Sequence, residues 1–215
     1  MPMPQVGFFN GLSDDQEREL RTMMTRRRFE RGEVVFHQGD PGASLHVIES
    51  GWFLVQVLTS TGDKVGMRIE GPGDVFGELA MLDSNGRRTA TIRALRPAVT
   101  MSLESEHFHR LRNENVWIDR YLVALLVRRV ERLTDQLAET AWLSAEKRVC
   151  RQLDRLVEIF TPDPIYLKQA EIASLAQTTR PTVSSVLGEL AKADILRTGR
   201  GSVEVLDRAK LRHRA

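Results

Sequence analysis

The stretch Gly71 to Ala94, GPGDVFGELAMLDSNGRRTATIRA, gathers residue types that suit a sugar phosphate. Arg88, with the Thr89 hydroxyl beside it and turn amides nearby, suits a phosphate anion, because a guanidinium is a planar, permanently charged fork of donors. Glu78, directly after Gly77, is acceptor-only as a carboxylate and suits a ribose hydroxyl. Gly71, Gly73 and Gly77 let the backbone turn tightly or come close to a ligand. One ligand that needs both groups at once is a cyclic nucleotide. Taken singly these features are ordinary. Gly77-Glu78-Leu79 is a common strand-and-turn tripeptide, a lone arginine is usually surface charge, and Glu78 and Arg88 are able to pair across a hairpin. The glycines, the carboxylate, the Arg-Thr pair and the TATIRA strand occurring together favour the ligand reading.

The elements around this stretch read as strands. From Phe29 to Met101 short runs alternate apolar and polar residues: VVFH, LHVIES, FLVQVLT, KVGMRIE, ATIRAL and AVTMSLE. Turn signals separate them at Arg31-Gly32, Gly39-Asp40-Pro41-Gly42, Ser50-Gly51, Thr61-Gly62-Asp63 and Gly71-Pro72-Gly73-Asp74. Many short, regularly spaced strands predict a β sandwich or barrel. Before them, Ser13 caps a short helix with Asp14, Asp15 and Glu17 in its first turn and Leu20, Met23 and Met24 as its buried face. Arg26–Arg28 is expected at the end of that helix, facing solvent.

After the strands a helical pattern runs from about Asn113 to Ala141. Val123, Val127, Val130, Thr134, Leu137 and Ala141 recur at alternating intervals of four and three, a heptad seam flanked by charge. Leu143-Ser144 reads as a hinge, with Ser144 capping an amphipathic helix through Val149, Leu153, Leu156, Val157 and Phe160. Thr161-Pro162-Asp163-Pro164 ends it.

A second motif follows. Gln169 to Ala176 reads as a helix, Gln177-Thr178-Thr179 as a turn, and Arg180 to Lys192 as a second helix whose Pro181 is tolerated in the first turn. Ile195–Thr198 and Ser202–Leu206 form a strand pair turning at Gly199-Arg200-Gly201. Two helices, a tight turn and a β wing describe a winged helix-turn-helix. The second helix presents Thr179, Arg180, Thr182, Ser184 and Ser185, small or hydrogen-bonding residues that fit a major groove. Arg180 is able to bond two acceptors on a guanine edge, while Thr179, Thr182, Lys168 and Arg200 suit phosphates.

Bulk properties agree with a soluble protein. In 215 residues, 41% are hydrophobic and 28% charged, the ordinary balance of a globular chain. No run reaches the roughly 18 apolar residues of a membrane span, and the N-terminus lacks a signal-peptide pattern, so a cytoplasmic location is expected. From Ala145 onward Lys and Arg number 13 against 9 Asp and Glu, a basic C-terminal third that hints at nucleic acid. The single Cys150 excludes a disulfide framework and an all-cysteine metal or iron–sulfur site, and reads as a buried thiol. His37, His46, His107 and His109 lack metal spacing and read as structural or exposed. No nucleophile elbow, P-loop or metal motif is present, so an enzyme is not expected.

The Gly71–Ala94 stretch resembles the phosphate-binding cassette of cyclic-nucleotide-binding domains, and Arg-x-Thr-Val followed by Leu-x-x-Leu at Arg180–Leu190 resembles the recognition helix of the CRP/FNR family of transcription regulators. The resemblance covers nearly the whole chain in order. It implies an α+β protein: an N-terminal cyclic-nucleotide-binding β-roll over 1–112, a dimerisation helix over 113–143 and a C-terminal winged helix-turn-helix over 144–215. It implies that Gly77, Glu78, Leu79, Arg88 and Thr89 bind the ligand, with Glu78 on the ribose 2′-hydroxyl and Arg88 and Thr89 on the cyclic phosphate. Thr134 matches one of two hydroxyl positions that contact adenine across the dimer, and Leu133 departs from the other. Pro181 and Ser185 depart from an acid and an arginine that read bases. The implied function is a homodimeric regulator that binds double-stranded DNA and RNA polymerase and is gated by cyclic AMP, with no tightly bound cofactor. The alternatives are cyclic GMP, a cyclic dinucleotide or no ligand.

Overall fold

Ser13 starts the first helix as expected. Its hydroxyl accepts from the Gln16 amide at 3.3 Å, and the Gln16 side chain accepts from the Ser13 amide at 3.0 Å, a reciprocal cap over α1 (Asp14–Thr22). The coordinates form a computed structural model that describes residues 8, 9, 12–59 and 64–215. The expected turn at Thr61-Gly62-Asp63 lies outside them. The chain divides into two units, Met1–Arg128 and Arg129–Ala215.

Among the described residues of the first unit, eight strands form two antiparallel four-stranded sheets. One has the order β1 (Thr25–Phe29), β8 (Ala98–Glu104), β3 (Ser44–Ser50), β6 (Val75–Phe76). The other runs β2 (Val34–Phe36), β7 (Thr91–Ala94), β4 (Phe53–Leu58), β5 (Lys64–Glu70). Arg26–Arg28 therefore lies in a strand, exposed, and not at a helix end. Arg26 pairs there with Glu49 at 2.8 Å. The alternation that predicts strands has a clear outcome in β3. Leu45 and Val47 point to one face, His46 and Ile48 to the other, and all four are buried. Ile48 joins Phe29, Phe53, Val55, Phe76 and Ile92 in one core cluster. Leu45 and Val47 belong to a second cluster with Leu20, Phe108, Ile118 and Leu122, so helices cover the outer face of this sheet.

The long helix differs from its sequence reading. Asn113 and Glu114 close a separate helix, α3 (Ser105–Glu114). Asn115 is extended (φ −136°, ψ 109°), and α4 runs Val116–Trp142. The Asn115 side chain explains the break. It donates to Leu111 O at 3.2 Å, the local backbone competition that suits asparagine to helix ends. The short helix α2 (Leu79–Leu82) follows Glu78.

In the second unit, Ser144 caps α5 (Ala145–Phe160), which buries Val149, Leu153, Leu156 and Phe160, with Cys150 and Ile159 added and Val157 only half-buried. Burial pushes the Cys150 thiol up to about 11, so it stays protonated and inert. Helices α6 (Gln169–Leu175) and α7 (Arg180–Lys192) enclose a turn in which Gln177 has φ 51°. The wing is β9 (Leu196–Gly199) with β10 (Ser202–Val205), and α8 (Arg208–His213), which the sequence reading did not include, closes the chain. Its Arg208 and Arg212 clamp Asp154 of α5 at 2.5 and 3.0 Å.

Candidate functional site

Gly77, Glu78, Leu79, Arg88 and Thr89 line one cleft in the first unit, with Phe36, Val55 and Arg68 on its walls. Gly77 sits at φ 89°, where a Cβ would lie 2.6 Å from the Arg88 guanidinium and 2.9 Å from Ser44 O. Only glycine lets the backbone pass this close to the arginine. Gly77→Ala is expected to cost about 2 kcal/mol of stability, from the left-handed backbone together with that collision. Urea unfolding of the parent and variant measures it.

Arg88 is 5% exposed and is held from behind. Nη1 donates to Ser44 O at 2.5 Å and Gly77 O at 3.0 Å, and Nη2 donates to Ser44 Oγ at 3.2 Å. The guanidinium carbon lies 4.0 Å from the centre of the Phe36 ring, a cation–π contact. Three donors are thus spent on protein. The Nε–H and one Nη2–H remain, and Nε is buried without a hydrogen-bond partner among the described residues. Burial disfavours the guanidinium charge, while the carboxylates of Asp40, Glu78 and Glu104 favour it. Glu78 is 1% exposed. A fixed cation with two spare donors beside a buried carboxylate is able to take an anionic group and a hydroxyl together.

Ser44, Phe36 and His46, which stands behind Ser44, were not found by sequence reasoning, nor was Arg68, whose Nε donates to the buried Glu70 carboxylate at 2.5 Å. Ser44, Phe36 and His46 lie at least 25 residues before the glycine-rich stretch, while Arg68 lies three residues before it, in a strand whose alternation does not mark it out. Thr134 lies on α4 in the other unit, exposed, its hydroxyl turned back to Val130 O at 2.9 Å. Of the heptad positions around it, Val123, Val127, Val130 and Leu137 are more than half exposed in the single chain.

In the second unit Arg180, Ser184 and Ser185 are exposed on α7. Thr179 is its N-cap, accepting from the Thr182 amide at 3.3 Å, and its hydroxyl bonds that of Thr182 at 2.8 Å. Lys168 is exposed at the start of α6, and Arg200 is exposed at the tip of the wing. The turn between the helices is bolted by Arg148, another residue the motif did not indicate. It donates to Ala176 O at 3.1 Å and Gln177 O at 3.0 Å, capping carbonyls that the end of α6 leaves open, and to Leu143 O, just past α4, at 2.7 Å.

Residues 26–115 match the family described as Cyclic nucleotide-binding domain, and residues 147–214 match Crp-like helix-turn-helix domain. The Cyclic AMP receptor protein of Thermus thermophilus is 31% identical over 95% of this chain and 94% of its own. The chain belongs to the CRP/FNR family of transcription regulators. A CRP-like cAMP-activated global transcriptional regulator of Mycobacterium tuberculosis is 29% identical over 99% of this chain and 98% of its own. In fold, this CRP/FNR chain also superposes on a c-di-GMP responsive global regulator of Xanthomonas campestris with a TM-score of 0.72, at 21% identity over 90% of this chain and 99% of the other. Membership accounts for the architecture: an N-terminal β-sheet domain for a cyclic nucleotide, a long helix, and a C-terminal helix-turn-helix for DNA. No helix among the described residues is long and apolar enough to cross a membrane.

Proposed function

We propose that this CRP/FNR regulator is a cytoplasmic homodimer gated by cyclic AMP. The observation that carries this reading is the pair of donors left on Arg88, one of them buried and unpartnered, next to the buried Glu78. The cyclic phosphate takes Arg88 and Thr89, the ribose hydroxyl takes Glu78, and Gly77 and Leu79 supply the backbone around them. The names of the Thermus and Mycobacterium relatives support cyclic AMP as the effector. The domains are read as 1–112 for ligand, 113–143 for dimerisation and 144–215 for DNA.

Dimerisation uses the exposed valine and leucine stripe of α4, with Thr134 within it. Two such helices packing along a heptad seam bury apolar surface that one chain leaves in water. Bound ligand favours one arrangement of the pair, which sets the two recognition helices about one DNA turn, roughly 34 Å, apart. Arg180 then reads a base, Ser184 and Ser185 face the groove, and Lys168, Thr179, Thr182 and Arg200 hold phosphates. RNA polymerase is the downstream partner, and the chain performs no chemistry on its ligand.

A guanine-bearing effector is the second reading. Arg68 favours it, because a guanidinium on the cleft wall suits the paired acceptors of a guanine edge better than the donor and acceptor of adenine. One titration separates the two: affinity for an operator fragment, measured with cyclic AMP, cyclic GMP and cyclic di-GMP. DNA affinity that rises with cyclic AMP alone supports the first reading, and affinity indifferent to all three removes ligand gating. On the DNA side, Arg180→Ala is expected to lower discrimination between sites by roughly 1–3 kcal/mol. Unchanged site preference would take that role from Arg180.

A further inference from the structure

Behind Arg88 a chain of polar side chains runs through the interior of the β-roll. Arg88 Nη2 donates to Ser44 Oγ at 3.2 Å, Ser44 Oγ lies 3.3 Å from His46 Nε2, and His46 Nδ1 lies 3.0 Å from Thr100 Oγ1. His46 is 4% exposed and Thr100 is fully buried. The imidazole stacks on Phe76 with centroids 5.1 Å apart and planes 12° from parallel. The bond from Arg88 has one possible direction. Arginine only donates, so Ser44 Oγ accepts from it and has its own hydrogen free for His46 Nε2. The serine oxygen has a second lone pair, so the distances admit either ring tautomer; in the one where Ser44 donates, Nε2 is bare, the ring neutral and the hydrogen on Nδ1, donated to Thr100. Burial and the nearby Arg88 and Arg27 charges push the His46 imidazole down to about 3, in keeping with a neutral ring.

We infer that His46 is a positioning residue for the ligand. As a neutral acceptor it turns the Ser44 hydroxyl so that its lone pair faces Arg88, and this fixes the plane in which the spare Nε–H and Nη2–H meet an anion. A phenylalanine in its place keeps an aromatic ring against Phe76 but offers the Ser44 hydroxyl no acceptor. The inference rests on the reading of the cleft as a cyclic-phosphate site. Its geometric part, the direction of the relay, does not depend on any ligand.

The test has two arms on the full-length chain. The first is 15N-edited NMR of the ligand-free protein at pH 5–7. It is expected to show His46 neutral with its hydrogen on Nδ1. A hydrogen on Nε2, or an imidazolium at pH 5, overturns the relay. The second is calorimetry with cyclic AMP and cyclic GMP on the parent, His46→Phe, His46→Asn and His46→Gln. Loss of one oriented bond to a charged donor predicts about tenfold weaker binding for Phe. Gln brings an amide oxygen to the Nε2 position and is expected to recover most of it, whereas Asn reaches only the Nδ1 position and is not. Equal affinity in all four overturns the positioning role while leaving the cleft as the ligand site. A parent that binds neither nucleotide overturns both readings. A purely structural role would make Gln and Asn equally poor.

Discussion

Arg88→Ala is expected to weaken binding of cyclic AMP and cyclic GMP by roughly 100-fold or more. In the proposed site the two donors left on Arg88 meet a charged phosphate, and hydrogen bonds to charged groups contribute about 1.5–3 kcal/mol each. Two of them, about 3 kcal/mol or more, amount to that factor in Kd. Calorimetry on parent and variant reads it directly. The substitution also removes the donors to Ser44 O and Gly77 O, so folding is checked alongside by thermal unfolding. Arg88→Lys keeps the charge without the fork. It should retain the fold and still lose about tenfold, since an ammonium does not present two parallel N–H groups. A phosphate role for Arg88 does not survive if either variant binds within twofold of the parent while remaining folded.

The first unit should lose stability steeply as pH falls from 6.5, through His46. Its folded imidazole titrates near 3 against 6.5 in the unfolded chain, with burial the largest cause and the Arg88 and Arg27 charges next. Between these two values the unfolded state binds one more proton than the folded state. The linkage sign is therefore positive: stability rises with pH across the window, is complete above 6.5, and is lost on acidification toward 3. The slope is about 1.4 kcal/mol per pH unit and the whole effect on the order of 5 kcal/mol, a large share of a typical domain's 5–15 kcal/mol. Urea unfolding at pH 4–7 measures it in a Trp142→Phe background, whose remaining Trp52 and Trp117 report on the first unit. His46→Gln should flatten the dependence down to about pH 5, below which carboxylates contribute in both proteins. An unchanged slope would place the acid sensitivity elsewhere.

Much of this architecture is local in origin and therefore legible along the chain. Gly77 and Glu78 are neighbours, and so are Arg88 and Thr89. A motif carried by adjacent residues and tight turns survives being read in one dimension. The same holds for the helix-turn-helix, where Thr179 as cap, Pro181 in the first turn and the apolar spacing of Val183, Val186, Leu187 and Leu190 set α7 from Arg180 to Lys192. The seam on α4 was legible because a heptad repeats within a single element, and its start was not. The break at Asn115 depends on one amide choosing Leu111 O over the solvent.

What the sequence determined by itself is the family, and with it the groups proposed to carry the chemistry, Arg88 and Glu78 for the ligand and Arg180 for the DNA. Only the tertiary structure decided what holds those groups still. Phe36 of β2 and Ser44 of β3 hold Arg88, with His46 of β3 behind Ser44, and Arg148 of α5 holds the turn before α7. Antiparallel pairing makes neighbours of residues far apart in sequence, and no local pattern announces them. Most buried donors and carbonyls nevertheless find a partner somewhere in the fold, as Arg88 Nη1 and Nη2 do at Ser44.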